Sequence, residues 1–555
     1  MVDELLAGFF EHYPTAATEI GNHAHDDRWP DLTDAGREAR LAFLADAQRR
    51  LDELDGSELS RDEAIDRRIL QENLGALRFN EETLREETWS PLSYVYLFGG
   101  GLFSLLAREF APLPDRLRSA AARLRALPTA LDAARAILES GGDRPISRFH
   151  TERAVATMPG VADLARRAAD EAKQLDDAAL RGEVEAAAQA AIASVEAFGR
   201  WLADELLPRT DGDFRLGPEL YAQKFRHALK TDLTPDDLLA RAQAGFVQVR
   251  AEMTRLARQL WPTWIGKEPE PIDGNVLVRR VLDAIAADHP TAGELLDFCE
   301  AELRRIEEFI GRTDLIGLAD EPLEIIWTPE FLRAFGGAML MPPGALDRGL
   351  SSFFAITPMP DDWTDEQRES YLREDNARML RLLTIHEAVP GHYLQLAFSN
   401  RCTSLARAVF QSGVFAEGWA VYVTQVMMDV GYGADDPALL LVHWKFYLRS
   451  ITNAMMDIRI HTGSMDRDEA MRLMVTEGFQ EESEAANKWD RARLSSTQLC
   501  EYFLGAVGMT ELEAEARRRA QLNGAPFSYR PFLEGVLAHG TPSLPVIRDI
   551  LYGQS

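Results

Sequence analysis

The stretch H-E-A-V-P-G-H, from His386 to His392, differs from a known zinc-binding signature mainly in its spacing. In H-E-x-x-H the two histidines lie four residues apart on a helix and share one metal ion. Here they lie six residues apart, with Pro390 and Gly391 between them. On a straight helix, residues six apart differ by about 240° in direction and about 9 Å along the axis, so they could not bind one metal. The chemistry of this stretch therefore depends on whether its helix stays straight.

Pro390 and Gly391 predict that the helix is distorted. Proline has no N–H to donate to the carbonyl group of His386, four residues back, and its ring crowds that carbonyl. Glycine tolerates unusual backbone dihedral angles. We expect a bulged turn of this kind, which is often found at functional sites, to return His392 to the side of the helix that carries His386.

The helix that carries the stretch has a recognisable start. Thr364 is followed three residues later by Gln367, the spacing of a capping box, and an apolar stripe at helical spacing follows. We expect one helix from this cap to Val389, with its continuation from Tyr393 onward. The alternative is an ordinary helix end, with Pro-Gly as its stop and the two histidines as surface or core residues.

A third metal ligand is predicted in the stretch E-G-W-A-V-Y, which begins at Glu417. A lone carboxylate in an apolar helical run is costly to bury unless it is paired or binds a metal. With His386 and His392, Glu417 would complete the His₂Glu set of a catalytic zinc and leave one position for water. Glu387, beside the first histidine, would be the base that takes a proton from that water. The alternative for Glu417 is a core ion pair or a helix boundary.

Most of the remaining sequence is typical of helix, so the predicted fold class is mainly α. Apolar residues recur three and four apart in four long stretches, 34–85, 115–205, 235–260 and 291–312. Strand signals are sparse and cluster just before the motif: short strands are expected at 323–328 and 351–358, with extended chain at 339–344. They predict a small sheet beside the motif helix, with an edge able to hold an extended substrate.

Two helical lobes are predicted along the chain. The stretch P-R-T-D-G-D-F-R-L-G-P, which begins at Pro208, has the composition of a connection between them. We therefore predict an N-terminal helical lobe over residues 1–210 and a C-terminal lobe over residues 211–555 that carries the metal site. One continuous domain is the alternative.

The composition restricts the partners of the protein. The 555 residues carry a formal net charge of -29, a field that repels nucleic acids and anionic lipid, so neither is expected as a partner. Three cysteines at wide separations, Cys299, Cys402 and Cys500, predict no disulfide framework. An acidic N-terminus without a signal-peptide pattern, and the lack of an apolar run of about 18 residues, predict a cytoplasmic protein without a membrane span.

The motif pair H-E-A-V-P-G-H-Y-L-Q and E-G-W-A-V-Y resembles the domain of unknown function 885 family, a widespread group of bacterial proteins. The same resemblance is carried by blocks at 13–33, 233–242 and 497–505, and so spans nearly the whole chain. The family is in turn similar to helical gluzincin peptidases, such as angiotensin-converting enzyme. The resemblance implies a large helical bundle with a deep central cleft and one zinc ion per chain at its floor. It implies His386, His392 and Glu417 as zinc ligands and Glu387 as the base.

Candidates for supporting groups lie further along the chain. Similar peptidases use a tyrosine hydroxyl to stabilise the oxyanion, which makes Tyr502 a candidate for that role. His461 and Arg459 are further candidates: Asp457, one turn before His461, could fix its tautomer, and Arg459 could bind a substrate carboxylate. The alternatives are a buried core tyrosine and an ordinary helical salt-bridge face.

The function predicted from these residues is zinc-dependent hydrolysis of short peptides in a deep cleft. Two alternatives stay open. One is a catalytically inactive peptide-binding protein of the same fold, in which the Pro-Gly insertion has removed the metal. The other is an acidic helical scaffold with no buried polar cluster near residue 390.

Overall fold

Most of the chain is helical, as the sequence predicts, over the residues that the computed structural model describes: 1–328, 338–360 and 362–553. No helix among these residues is both long and apolar enough to cross a membrane. In chain order the helices are α1 (Val2–His12), α2 (Pro14–Ile20), α3 (Asp34–Asp52), α4 (Arg61–Phe79), α5 (Glu86–Trp89), α6 (Leu92–Leu106), α7 (Leu113–Ser140), α8 (Arg148–Thr157), α9 (Pro159–Ala172), α10 (Ala178–Trp201), α11 (Pro218–Leu229), α12 (Pro235–Trp264), α13 (Gly274–Ala286), α14 (Leu295–Thr313), α15 (Asp365–Glu374), α16 (Ala377–Glu387), α17 (His392–Ser399), α18 (Leu405–Val409), α19 (Gly413–Asp429), α20 (Pro437–His461), α21 (Arg467–Met471), α22 (Glu482–Leu494), α23 (Glu501–Leu522), α24 (Tyr529–Leu537) and α25 (Leu544–Tyr552).

Three strands form one sheet within the described part of the chain, at the places where the sequence predicts extended chain. The strands are β1 (Leu323–Trp327), β2 (Ala338–Met341) and β3 (Ser352–Ile356). Their order is β1-β3-β2, with β3 parallel to β1 and antiparallel to β2. The small sheet expected before the motif is confirmed, and β2 is one of its edge strands.

The sheet and the motif helix share a hydrophobic core. Fully burying a leucine or phenylalanine side chain stabilises a fold by about 1.5–3 kcal/mol, so this packing holds the end of α16 firmly beside the sheet. The buried side chains come from α14, β3, α15, α16 and the residue after it: Leu295, Cys299, Phe354, Ile356, Leu372, Leu380 and Ala388.

The single helix expected from Thr364 to Val389 is in fact two helices, so that expectation is wrong. The start is as predicted, because Thr364 and Gln367 form a capping box at the beginning of α15. The chain leaves the helical conformation at Asp375. Asn376 then begins α16 as a new N-cap, because its side chain accepts hydrogen bonds from two backbone N–H groups of the first turn.

The chain packs as two compact units, each built from several segments. Unit 1 comprises Met1–Leu216, Pro343–Leu350 and Ser404–Val409, and unit 2 comprises Gly217–Pro342, Ser351–Thr403 and Phe410–Ser555. Because two later segments return to unit 1, no single cut of the chain separates the units. All the candidate site residues belong to unit 2.

In unit 1, His23 joins an N-terminal turn to the returning segment Pro343–Leu350. Its Nδ1 lies 2.8 Å from Asp26 Oδ2, its Nε2 lies 3.0 Å from Asp347 Oδ1, and its ring stacks on Phe110. Burial alone would lower the pKa of His23, but the two carboxylates outweigh burial and raise its pKa to about 9. The imidazolium therefore stabilises the folded state of unit 1 at neutral pH.

We expect His23→Gln to lower the melting temperature most at about pH 6 and least above about pH 9. A histidine whose pKa is raised by folding contributes its full stabilisation below the pKa of the unfolded chain, about 6.5, and loses it as the pH rises through the folded-state pKa. The side chain is 27% exposed, so the contribution is about 1–3 kcal/mol at most. Scanning calorimetry of both proteins across this pH range measures it. A difference in melting temperature that does not change with pH would contradict the prediction.

Candidate metal centre

The last turn of α16 presents the first two residues of the motif. His386 and Glu387 are both buried, with 5% and 8% of their surface exposed. Ala388 leaves the helical conformation, and the following Val389–Pro390 peptide bond is cis. A separate helix, α17, begins at His392. The motif therefore spans the turn between two helices, whereas the sequence predicts a bulge within one.

Gly391 allows this turn to lie directly against α16. A Cβ atom at residue 391 would overlap the backbone carbonyl oxygens of Ile385 and His386. Only glycine fits such a close approach between two backbone segments. As a result the imidazole rings of His386 and His392 meet, with their centroids 4.8 Å apart.

Glu417 reaches the two histidines from α19. Its Oε2 lies 3.4 Å from His392 Nε2 and 3.8 Å from His386 Nε2. Two residues later, the indole Nε1–H of Trp419 donates a 2.9 Å hydrogen bond to the carbonyl oxygen of Pro390. This bond ties α19 to the turn inside the motif and so fixes Glu417 relative to both imidazoles.

Gly418, between these two residues, lets α19 and α23 cross with their backbones in contact. A Cβ atom on Gly418 would overlap the Cα of Gly505, and a Cβ atom on Gly505 would overlap the Cα of Gly418. A larger residue at either position would therefore push the helices apart. The crossing places Tyr502, one turn before Gly505, near Glu417. Each residue of E-G-W thus has a separate structural role.

The side chains of His386, His392 and Glu417 fit a zinc ion. Among the described residues this is the one group of three whose ligand atoms all lie within 4.8 Å of one another. Ligands about 2.0–2.2 Å from a tetrahedral zinc ion lie about 3.3–3.6 Å apart. The distances from Glu417 Oε2 to the two histidine nitrogens, 3.4 and 3.8 Å, are close to this. The Oε2 atom of Glu417 is buried without a hydrogen-bond partner among the described residues. A bound cation would balance this carboxylate.

Burial governs the protonation of the three residues. Burial and the neighbouring His392 lower the pKa of His386 to about 3, so His386 is neutral and has a lone pair for a metal. Burial also opposes a charge on His392, but the carboxylate of Glu417 outweighs it and raises the pKa of His392. Burial would raise the pKa of Glu417, but the two histidines hold it below its usual value. The carboxylate of Glu417 therefore favours a proton on His392, and a bound cation would take the place of that proton.

The carboxylate of Glu387 contacts the sheet and lies near His392 and Glu417. Its Oε2 accepts a 2.9 Å hydrogen bond from the backbone N–H of Leu340 in β2. Because Leu340 pairs with Phe354 of β3 and yet donates to Glu387, this N–H points away from β3, to the outer edge of β2. Burial raises the pKa of Glu387 to about 7. That value suits a general base at neutral pH.

The hydroxyl group of Tyr502 is held in place by two side chains, neither of which is among the predicted site residues. Arg491 Nη2 donates to it at 3.1 Å, and Gln498 Nε2 donates to it at 3.4 Å. Burial and the carboxylate of Glu417 raise the pKa of Tyr502 above its usual value. The hydroxyl therefore keeps its proton and can donate it in a hydrogen bond.

The structure does not bring Arg459 and His461 to this site. Both lie at the end of α20, whereas Phe446 of the same helix contacts His386, with ring centroids 5.4 Å apart. Thirteen residues separate Phe446 from Arg459, which is about 20 Å along a helix. Arg459 forms an ion pair with Glu469 at 2.6 Å, and His461 Nε2 faces two backbone carbonyl groups at the end of α22.

Asp457, one turn before His461, supports the segment that leads into α23. Its carboxylate accepts hydrogen bonds from the hydroxyl of Tyr221 at 2.7 Å and from the backbone N–H groups of Thr497 and Leu499 at 2.9 and 3.2 Å. The ring of His461 stacks on Tyr221. These contacts are those of a buried structural network beneath α23.

The family profile described as bacterial protein of unknown function, DUF885, matches residues 14–551. The chain belongs to the DUF885 family. The predicted resemblance to this family is thereby confirmed over nearly the whole chain. No curated protein matches the DUF885 chain.

Two solved structures are similar to this DUF885 protein over almost its entire length. One is described as a putative lipoprotein of unknown function from Shewanella oneidensis; its TM-score is 0.85 at 30% identity, covering 99% of this chain and 98% of that one. The other is described as a putative lipoprotein from Colwellia psychrerythraea; its TM-score is 0.78 at 15% identity, covering 98% of this chain and 96% of that one. The second likeness concerns the fold alone, and neither description names an activity.

Proposed function

We propose that this DUF885 protein is a zinc-dependent metallopeptidase that hydrolyses short peptides. The proposal rests on the meeting of three metal-binding side chains, His386, His392 and Glu417, with the carboxylate of Glu387 beside them. Structural zinc sites usually have four protein ligands, whereas hydrolytic sites have three ligands, an open position and a nearby base. His386, His392, Glu417 and Glu387 fit the hydrolytic arrangement, with three ligands and a base.

His386, His392 and Glu417 would hold one zinc ion per chain. When bound, zinc polarises a carbonyl group and makes water more acidic. Glu387 takes a proton from the attacking water and passes it to the leaving amine. Because Glu387 follows His386 directly on a helix, its side chain points about 100° away from that ligand. It therefore serves as a base outside the ligand set.

The outer edge of β2 favours a peptide as the substrate. Extended peptides bind exposed sheet edges through main-chain hydrogen bonds. The edge N–H of Leu340 already bonds to Glu387, so a peptide that added to β2 would run past the proposed base. Recognition of this kind depends on the peptide backbone, so peptides with many different side chains can bind.

Tyr502 would assist the same reaction. Attack on a peptide carbonyl creates an oxyanion, and a fixed hydrogen-bond donor near that oxygen stabilises it. The hydroxyl of Tyr502 keeps its proton and is oriented by Arg491 and Gln498. Arg459 and His461, suggested for this role by the sequence, lie at the other end of α20 and are not part of the proposal.

The likeness of the motif to helical gluzincin peptidases supports the same reaction class. The deep cleft that this likeness implies stays a prediction, and so does the preference for short peptides that follows from it. The cytoplasmic location also stays a prediction. The description of both similar structures as putative lipoproteins makes a membrane-anchored location its alternative.

Zinc content tests the proposal directly. Protein purified without chelator and supplied with zinc is expected to hold one zinc ion per chain by elemental analysis. Changes outside the ligand set of zinc proteins already weaken binding by about 10–100-fold, so loss of the ligand in Glu417→Gln is expected to weaken it further. Glu501→Gln is the matched control, because Glu501 is a nearby carboxylate outside the group of three and should leave zinc bound.

Peptide turnover separates the enzyme from its alternatives. Zinc-loaded protein is incubated with a mixture of short peptides, and the products are identified by mass spectrometry. Cleavage that depends on zinc supports the proposal. Peptide binding without cleavage would favour the inactive peptide-binding protein. Protein that stays free of zinc when zinc is supplied would end the metallopeptidase proposal.

A further inference from the structure

Four cationic side chains form a group beside the candidate metal centre. Lys445 and Arg449 lie one turn apart on α20, and Lys488 and Arg491 lie one turn apart on α22. Glu484 joins the two helices, with its Oε1 atom 3.6 Å from Lys488 Nζ and 3.9 Å from Arg449 Nη1. The four cations are called the cationic group below. The side chains of Lys445, Arg449 and Lys488 are each at most 17% exposed.

The cationic group approaches the metal centre from two helices. On α20, the guanidinium of Arg449 lies over the ring of Phe446, 5.8 Å from its centroid, and that ring contacts His386. On α22, Arg491 donates to the hydroxyl of Tyr502, which lies near Glu417. The positive charges therefore border the place where a substrate of the proposed enzyme would react.

Two carboxylates, Glu374 and Glu484, pair with three of the four cations. Glu374 accepts hydrogen bonds from both cations of α20, and Glu484 lies between the two helices. A third carboxyl group, Asp375, has its pKa raised to about 7 by burial and by the charge of Glu374, so it is only partly ionised at neutral pH. Burial and the neighbouring guanidinium groups lower the pKa of Lys488 to about 8, although Glu484 opposes them. Glu417 and Glu501 also lie near Arg491, but neither forms an ion pair with it, and burial raises the pKa of Glu501 to about 8.

Arg491 is the member of the group that has room for a partner. Its Nη2 atom donates to Tyr502 and, at 2.9 Å, to Gln498. No carboxylate of the described residues lies within 4 Å of its guanidinium. Its Nε and Nη1 atoms make no hydrogen bond within the described chain, and neither is buried. Glu417 and Glu484 favour its charge from a distance, but the guanidinium pairs with neither of them, so it can bind a carboxylate that a ligand supplies.

We propose that Arg491, with Arg449 and Lys488, binds a carboxylate group of the peptide substrate next to the reacting bond. The proposal rests on the peptidase function and names its substrate class. A guanidinium binds a carboxylate through two parallel hydrogen bonds, and a buried ammonium adds a point charge. The carboxylate can be the C-terminus of the peptide or an acidic side chain. If the bound carboxylate is the C-terminus of the peptide, the protein is a peptidase that acts at the C-terminal end.

Three peptides of one length distinguish the two sources. They are an N-acetylated alanine pentapeptide with a free C-terminal carboxylate, the same peptide as its C-terminal amide, and the amide with glutamate as its last residue. We expect the free acid to bind at least about 10-fold more tightly than the alanine amide, because the charge-assisted pair is lost in the amide. Tight binding of the acid alone assigns the C-terminus, and equally tight binding of the glutamate amide assigns a side chain.

Variants of α22 then test the residues. Arg491→Gln is expected to remove the preference for the acid, and Arg491→Lys to restore part of it. Arg493→Gln is the matched control, because it removes the same charge from the same helix. Arg493 forms an ion pair with Asp490 and lies two residues from Arg491, about 200° round the helix. It should therefore leave the preference unchanged.

Binding is measured by calorimetry on the zinc-loaded Glu387→Gln protein, and turnover is measured separately on the wild type. A preference for the acid in binding, without turnover by the wild type, would retain the carboxylate site and remove the peptidase function. Equal affinities for acid and amides would overturn the inference even if every peptide were cleaved. Equal effects of Arg491→Gln and Arg493→Gln would also overturn it.

Discussion

Glu387→Gln is expected to lower kcat for peptide hydrolysis by about 10²–10⁴-fold while zinc stays bound, since a positioned general base contributes a factor of this size. The amide cannot accept the proton of the attacking water. It can still accept the hydrogen bond from Leu340, so the contact between α16 and β2 is retained. Steady-state kinetics with one peptide of the set measures the loss.

Measurements of zinc content and folding on the same samples provide the control. Elemental analysis and circular dichroism should show unchanged zinc content and helix content in the variant. A variant that keeps more than about a tenth of the wild-type kcat would show that Glu387 is not the base. A variant that loses zinc would show that Glu387 belongs to the ligand set.

Gly391→Ala is expected to abolish zinc binding and to destabilise unit 2 by about 1–3 kcal/mol or more, as forced overpacking does. The new Cβ atom would overlap the carbonyl oxygens of Ile385 and His386. The turn would have to move away from α16, and His392 would move with it. Zinc content and the thermal unfolding midpoint measure the two effects.

Gly311→Ala provides the matched control for this change. Gly311 lies within α14, and a Cβ atom there would meet no other atom within 4 Å. The substitution should leave zinc binding unchanged and raise stability by about 0.5–1 kcal/mol, because alanine favours helix. If Gly391→Ala bound zinc as the wild type does, the close approach at residue 391 would not be what unites the imidazoles.

The meeting of His386, His392 and Glu417 could be predicted from the sequence because each has a local chemical signal. His386 and Glu387 stand in the order that zinc peptidases use, Pro390 and Gly391 predict a distortion before His392, and a glutamate is expensive in an apolar helix. The form of the distortion could not be predicted. Periodicity alone favours one long helix, and it hides the competing N-cap signal of Asn376, which lies in the middle of an apolar stripe.

The supporting residues were harder to predict because they depend on tertiary distances. Arg449 and Arg459 lie on the same helix, and nothing in their local sequence tells which of them lies near the histidines. The difference comes from the contact between Phe446 and His386, which fixes the position of α20 along its own axis. The sequence does contain a signal for the cationic group on both α20 and α22. Two cations one turn apart on a helix repel each other unless a negatively charged group lies nearby. That spacing marks both Lys445–Arg449 and Lys488–Arg491.

The turn between α16 and α17 also changes what controls the metal site. In H-E-x-x-H the separation of the two imidazoles is a fixed property of helix geometry. Here it is set by four residues, Ala388 to Gly391, and by the indole of Trp419 that anchors them. Residues that would not touch a bound ion can therefore adjust the distance between His386 and His392. Metal affinity and metal preference in this family would then be tunable through a loop, without exchange of a single ligand.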